Sequence, residues 1–344
     1  MVWLRRNLFS TPFNSGLTLL TLYLLWLAIP PIVDWLFLQA TWSGESRAAC
    51  EPNEGACWAF IDARFNQFIY GLYPSEAQWR VDLAFILLGV LFAGFFIPGV
   101  RRSWIAVLIL IPYPLVAWIL FSGGSWGLEE IDTAQWGGLF LTLVIAGVGI
   151  TASFPLGILL ALGRRSNLLV IRSISIGFIE LIRGVPLISV LFMASVMLPL
   201  FLPEGVNFDK LLRALIGISL FQAAYMAEVV RGGLQAIPKG QTEAAESLGL
   251  GYWRTMQLII LPQALKLVIP GVVNTFIALF KDTTLVLIIG MFDFLGIVQA
   301  ATTDPNWLGT AVEGYVFCAA VYWLFCFSMS RYSVSIERKL DTGH

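Results

Sequence analysis

The chain is 344 residues long, 58% hydrophobic and 12% charged, with a formal net charge of −1. Such a balance departs from that of soluble globular proteins and places the chain in a lipid bilayer, while near-zero charge leaves no electrostatic case for nucleic acid. One histidine, His344 at the last position, excludes histidine metal sites, Ser-His-Asp triads and histidine proton relays.

A hydrocarbon core about 30 Å thick needs ~20 apolar helical residues per crossing. Eight stretches satisfy this: Leu17 to Leu38, Val81 to Val100, Trp104 to Phe121, Gly138 to Leu162, Glu180 to Leu202, Leu211 to Val230, Ala264 to Gly290 and Ala311 to Ser330. Alternating strands of barrel type are absent, so an all-α integral membrane fold of about eight transmembrane helices is expected. The first run is too long for a signal-peptide core and has no small-residue cleavage site behind it, so it reads as a retained helix.

The basic residues set the orientation. With the N-terminus inside, Arg5, Arg6, Arg101, Arg102, Arg164, Arg165, Arg172, Arg231, Lys239, Arg254, Lys266, Arg331, Arg338 and Lys339 are cytoplasmic, whereas Arg47, Arg64, Arg80, Lys210 and Arg213 fall outside. Both termini are therefore expected in the cytoplasm. Cys50 and Cys57 flank a turn-rich outer spacer, which allows a disulfide in an oxidising compartment or two free thiols. Cys318 and Cys326 lie about 12 Å apart along one helix, too far to bridge. Tryptophans near span ends, among them Trp126, Trp136 and Trp307, read as interfacial anchors.

The chain divides into residues 1–136 (three helices and a long outer loop), 137–335 (five helices and nearly all intramembrane polar residues) and a tail, 336–344. Without a Walker-type phosphate loop it does not hydrolyse ATP by that route. An intramembrane enzyme is disfavoured, leaving transport, channel or anchoring functions.

The segment from Arg231 to Pro262 is too polar for lipid. Thr242 and Glu243 suit a helix start, Gly249 a helix end, and Tyr252 to Ile259 a second short helix reaching Pro262, which opens the next span. The product is either a rigid knob for a groove on a soluble partner or an amphipathic helix resting on the membrane.

Charged side chains within spans usually face a bundle interior or a wet cavity. Lys281 and Asp282 interrupt the seventh span. Either Asp282, Thr283 and Thr284 cap a half-helix after a local break, leaving amides and Lys281 near a substrate carboxylate, or the two charges are satisfied by neighbouring helices. Gln222 and Tyr225 could line the same path, with Glu228 and Arg231 nearer the cytoplasm as scaffold or gate. Glu180 and Arg183 are spaced to pair within one helix. Gly147, Gly149, Ser153 and Gly157 allow close helix packing on the fourth span.

The run Gly240 to Gly249 containing Glu243-Ala244-Ala245, nine residues, and then Ile259-Ile260-Leu261-Pro262-Gln263-Ala264 resembles the signature loop of permease subunits of bacterial ABC importers. The ordered motifs Glu180-Leu181-Ile182-Arg183-Gly184-Val185-Pro186-Leu187, Ala224-Tyr225 with Glu228 and Arg231-Gly232-Gly233, and Lys281-Asp282-Thr283-Thr284-Leu285 look like the polar amino-acid uptake branch. The three additional N-terminal helices look like the longer permeases of general L-amino-acid importers, attached to a five-helix permease core.

The resemblance implies a heterodimer with a homologous permease in the bacterial inner membrane, two cytoplasmic ATP-binding subunits and a periplasmic amino-acid-binding protein. ATP and Mg would be bound by the ATPase partner; this chain would carry no cofactor or metal. Gly240, Glu243, Ala244, Ala245, Gly249, Leu261 and Pro262 would couple to the ATPase. Lys281, Asp282, Thr284, Gln222 and Tyr225 would line the path, with Glu180, Arg183, Gly184, Pro186, Glu228 and Arg231 structural. Competing readings are a permease for another polar solute and a channel or secondary transporter without ATPase coupling.

Overall fold

The computed structural model describes residues 2–340 except 52, 53, 96, 98, 100, 202 and 204–207. The expected span ends Val100 and Leu202, part of the spacer between Cys50 and Cys57, and the tail from 341 to His344 lie outside the described residues.

Among the described residues seven helices are long and apolar enough to span a membrane, or eight when a bent pair is counted as one span. In chain order they are α1 (Pro12–Leu38), then, after the shorter helix α2 (Ala59–Tyr70), α3 (Ser75–Gly94), α4 (Arg102–Ser122) and α5 (Gly138–Arg164). The bent pair α6 (Leu169–Arg183) and α7 (Leu187–Phe201) is followed by α8 (Lys210–Ala236). The short α9 (Lys239–Ser247) and α10 (residues 252–267) lead into α11 (Ile269–Ile289), α12 (Phe294–Ala301) and α13 (Ala311–Leu340). Helices are the form in which an open chain bonds all its backbone groups internally where lipid offers no partners.

The chain forms two compact units. The larger comprises Asn66–Val298 and the chain from Cys318 onward. Its centre is the pair α5 and α8, each 27 residues long. A β-carbon on Gly157 would collide with Met226, and one on Gly149 would press on Leu279 and Ile218, so both glycines permit the backbones to approach. Gly147, expected to share that role, has open space around it and is exposed.

The division expected at residue 136 does not coincide with the packing. Tyr73, Val81, Leu120, Phe121 and Trp136 belong to the same buried cluster as Phe140, Leu141 and Ile218, so α3 and α4 are built into the core of the larger unit. Trp136 is correspondingly no interfacial anchor: it is 2% exposed and packs on Phe121 and Phe140.

The smaller unit comprises the first 65 residues with Gln299–Phe317. Cys50 and Cys57 are joined by a disulfide, with Cα atoms 5.6 Å apart. Arg47 donates to the Leu308 carbonyl at 2.9 Å, Arg64 pairs with Asp304, and the Cys57 amide donates to Glu313 Oε1 at 3.1 Å. Trp307, stacked near Phe60, is buried here rather than interfacial.

Two expected spans are corrected. The stretch Glu180 to Leu202 is not one helix: α6 and α7 meet at an angle of 104° across Gly184-Val185-Pro186. Pro186 disfavours the helical conformation at Val185 and has no amide hydrogen to donate, so a new helix begins behind it. The seventh span starts at Ile269, with Pro270 in its first turn. No break follows Asp282; the helix tightens to 3₁₀ geometry over Thr283–Ile289 and stops at Gly290, whose φ is 72°. The hydroxyls of Thr283 and Thr284 donate to the Phe280 and Lys281 carbonyls, keeping that turn closed.

Behind Gly290 the fully buried Asp293 starts α12, accepting from the Gly296 amide and the Tyr322 hydroxyl, both at 3.0 Å. Burial pushes its carboxyl above the usual carboxylate range, and these hydrogen bonds offset only part of the effect. The folded protein thus holds the proton more tightly than the unfolded chain, so stability is gained as pH falls through the raised pKa and is lower above it. Asp293→Asn keeps an acceptor without the charge. Its thermal unfolding temperature in detergent is expected to match or exceed that of wild type at alkaline pH and to lose this component of the pH dependence, whereas Asp293→Ala should cost about 1 kcal/mol through the lost cap.

Candidate functional site

The polar segment after α8 folds as a compact projection. Pro238 ends the line of α8, and α9 begins at the next residue, Lys239, about one turn earlier than expected from Thr242 and Glu243. Ala245 is 1% exposed and faces inward, whereas Gly240, Glu243, Ala244, Glu246 and Ser247 face out. Gly249 closes the helix with φ 76°. Its amide donates to the Glu246 carbonyl at 2.9 Å and the Leu250 amide to the Ala245 carbonyl at 3.1 Å, the paired bonds of a Schellman turn. No atom lies within 4 Å of a β-carbon built on Gly249, so only backbone handedness restricts this exposed position.

Leu248, Tyr252, Trp253 and Leu258 are largely exposed around this turn, an apolar rim suited to a protein groove. Pro262 does not open the next span, because it lies inside α10. There a π-turn over Met256–Ile260 lets the Leu261 amide reach back to the Met256 carbonyl just before the proline. Gln263 donates to the Ile259 carbonyl at 2.8 Å and contacts Gln241 at 3.4 Å, tying α10 to α9.

A knot of charge joins α5, α6 and α8. Arg164 Nη1 lies 2.9 Å from Glu228 and 3.0 Å from Glu180. Arg231 holds Glu228 Oε2 through Nε at 3.0 Å and Nη2 at 2.8 Å, and Arg183 lies 3.6 Å from the same carboxylate. Glu180 and Arg183, expected to pair with each other, thus pair with other helices: the bend behind Arg183 aims its guanidinium towards α8, where it also lies 5.6 Å from the Tyr225 ring. Arg164 was legible only as an orientation signal. The clue to its role is that two acids in apolar helices need cations from elsewhere.

Of the expected path residues, Gln222 is 4% exposed and donates to the Thr275 carbonyl at 3.0 Å, so it joins α8 to α11 instead of lining an opening. Tyr225 is 36% exposed. Lys281 is exposed, Asp282 and Thr284 are half-buried, and the side chains of Lys281 and Asp282 make no hydrogen bond or ion pair among the described residues. Asp282 has no capping bond, which removes the half-helix reading, and neither charge is satisfied by a neighbouring helix of the described chain.

The family described as the inner membrane component of binding-protein-dependent transport systems matches residues 153–342. An inner membrane amino-acid ABC transporter permease protein, YhdY of Escherichia coli strain K12, is 60% identical over 345 residues, covering 100% of this chain and 94% of that protein. The glutamate/glutamine/aspartate/asparagine transport system permease protein BztC of Rhodobacter capsulatus is 42% identical over 410 residues, covering 99% and 94%. A crystal structure of an amino acid ABC transporter with histidines superposes with a TM-score of 0.52 at 30% identity, over 59% of this chain and 92% of that one.

The charged knot predicts non-additive behaviour. Glu228→Gln leaves Arg164, Arg183 and Arg231 facing one another and should destabilise the protein by about 2–4 kcal/mol, since breaking a sequestered pair strands the remaining charge. Adding Arg231→Gln should return part of that loss. Thermal unfolding of the two single variants and the double variant measures the coupling, and strict additivity would show that the pair carries no interaction energy.

Proposed function

We propose, from the premise that the chain belongs to the family of inner membrane components of binding-protein-dependent transport systems, that it is the permease of an ATP-driven L-amino-acid importer. The protein is a multi-pass permease and not itself catalytic. The observation that carries the coupled reading is the exposed α9 with its Schellman turn at Gly249 and apolar rim. In this reading α9 seats in a groove of a cytoplasmic ATPase, which binds ATP and Mg, and a second, homologous permease supplies the other half of the path. Closure of the ATPase pair pulls on α9 and α10, switching the path between inward-facing and outward-facing states. Both termini lie in the cytoplasm with α9, and a periplasmic binding protein delivers the cargo on the opposite side.

Acidic amino acids and their amides are the first cargo to test, because a relative similar over nearly the whole chain is named for them. Lys281, Asp282, Thr284 and Tyr225 are the proposed lining. The two unpartnered charges would meet the ammonium and carboxylate of a zwitterion, a need that a purely structural role leaves unexplained. Coupling by intramembrane acids alone, as in a channel or secondary carrier, would give α9 no function.

Uptake of labelled glutamate into proteoliposomes holding the full importer and its binding protein tests this reading. Gly249→Arg, strained at positive φ and bulky on the docking surface, should insert normally yet lose at least about tenfold of ATP-driven uptake. Gly249→Asn tolerates the left-handed conformation and should keep most of it. Full activity in the arginine variant would remove α9 from coupling. Failure of glutamate, aspartate, glutamine, leucine and histidine alike to compete would move the cargo outside the amino acids.

A further inference from the structure

The larger unit contains a cavity of about 380 Å³ between the start of α8, the turn before α5 and the end of α11. In the proposed orientation it opens on the outer face, away from the charged knot. Two of its lining side chains are buried donors without a partner among the described residues: Trp136 Nε1, on a residue 2% exposed, and Arg213 Nε, on a residue 8% exposed. Both atoms are closed off behind the cavity wall, so a ligand would meet the accessible groups instead, Lys210 and the outer N–H groups of Arg213.

Arg213 is fixed in place by donating through Nη1 to the Ser195 carbonyl, so its remaining N–H groups have a set direction. Lys210 stands one turn earlier on the same helix, exposed; its ammonium lies 3.8 Å from where a β-carbon on Gly290 would be. The acids of the cavity are unequal. Asp209 is occupied, capping α8 at the Leu212 amide and accepting from the Thr133 hydroxyl. Asp132 uses one oxygen for the Ala134 amide, at 2.8 Å, and is otherwise exposed.

We propose that this cavity is an outer receiving site for a zwitterionic amino acid. The substrate carboxylate is held by Lys210 and Arg213, and its ammonium by the free oxygen of Asp132. A neutral solute would leave the cations unanswered, and a phosphate dianion would meet both aspartates. The cavity volume falls in the range of small-molecule sites. This inference deepens the reading of the chain as an amino-acid permease and rests on it: a substrate released by a binding protein meets this site before it reaches Lys281 and Asp282.

The test is binding of L-glutamate to the complete importer in lipid nanodiscs without the binding protein, followed by saturation-transfer NMR. Wild type should show saturable binding. Lys210→Gln, at an exposed side chain, and Asp132→Asn, which keeps an oxygen to accept from the Ala134 amide, should each weaken it at least tenfold, and glutarate, which lacks the ammonium, should compete poorly with wild type. Unchanged affinity in both variants would overturn the proposal. So would binding that disappears when phosphatidylcholine discs are replaced by phosphatidylethanolamine discs, because the occupant would then be a lipid headgroup. Uptake by the same preparation with its binding protein separates the two readings. Normal uptake without binding at this cavity sinks the receiving site alone, whereas absence of uptake for every amino acid sinks the importer reading itself.

Discussion

The close approach of α5 and α8 is the contact on which the other elements depend. Two helices of 27 residues run some 40 Å at ~1.5 Å per residue, long enough to cross the hydrocarbon layer and reach both interfaces. Lipid supplies no hydrophobic drive between such helices, so their association rests on fit. Gly149, Ser153 and Gly157 provide it by keeping side chains small along one face of α5, and most of α8 is buried. With α8 enclosed, its few polar residues have defined neighbours: Gln222 meets the backbone of α11, and Glu228 meets Arg164 at the end of α5.

The bend between α6 and α7 completes that arrangement. The last turn of α6 brings the Arg183 guanidinium to Glu228 and over the Tyr225 ring, and the bend behind it sends the chain off in a new direction. The knot contains three arginines and two glutamates, an excess of one positive charge next to the half-exposed tyrosine. It lies a few residues before α9 on the same chain, so a pull on α9 acts first on the end of α8 that carries Glu228 and Arg231. A network shared by three helices is the kind of linkage through which the proposed docking of α9 would reach the path.

The positions of most spans were legible because continuous apolar runs have few other uses, and Gly249 was legible because a left-handed helix end strongly favours glycine. Other features depend on contacts that sequence spacing does not contain. Glu180 and Arg183 have the spacing of a helical pair, but a partner on another helix approaches more closely, so the local rule lost to tertiary packing. Lys281-Asp282-Thr283-Thr284 looked like a broken helix because threonine and aspartate favour caps; both threonine hydroxyls bond back into the same helix instead. Trp136 looked interfacial by its place at a span end, yet α3 and α4 cover it. Asp293 was overlooked among apolar neighbours, although an acid there needs a structural reason, and starting α12 supplies it.

The polar groups of the larger unit have a common order along α8. Arg213 and Glu228 are 15 residues apart, about 22 Å along the axis and separated by only about 60° around it. One face of a single helix therefore presents a cation near its start and an acid-centred knot near its end, with Tyr225 beside the knot. Lys281 and Asp282 lie on α11, held to α8 by the bond from Gln222 to Thr275. In the proposed reading, a zwitterion passing along α8 would exchange one set of charged partners for the next. Desolvating a charge in lipid is costly, so fixed charges spaced along one rigid helix would lower that cost at each stage of the proposed path. The same rigidity gives Gln222 its structural use: its bond to the Thr275 carbonyl holds α8 and α11 at a fixed separation, as a path between them would require.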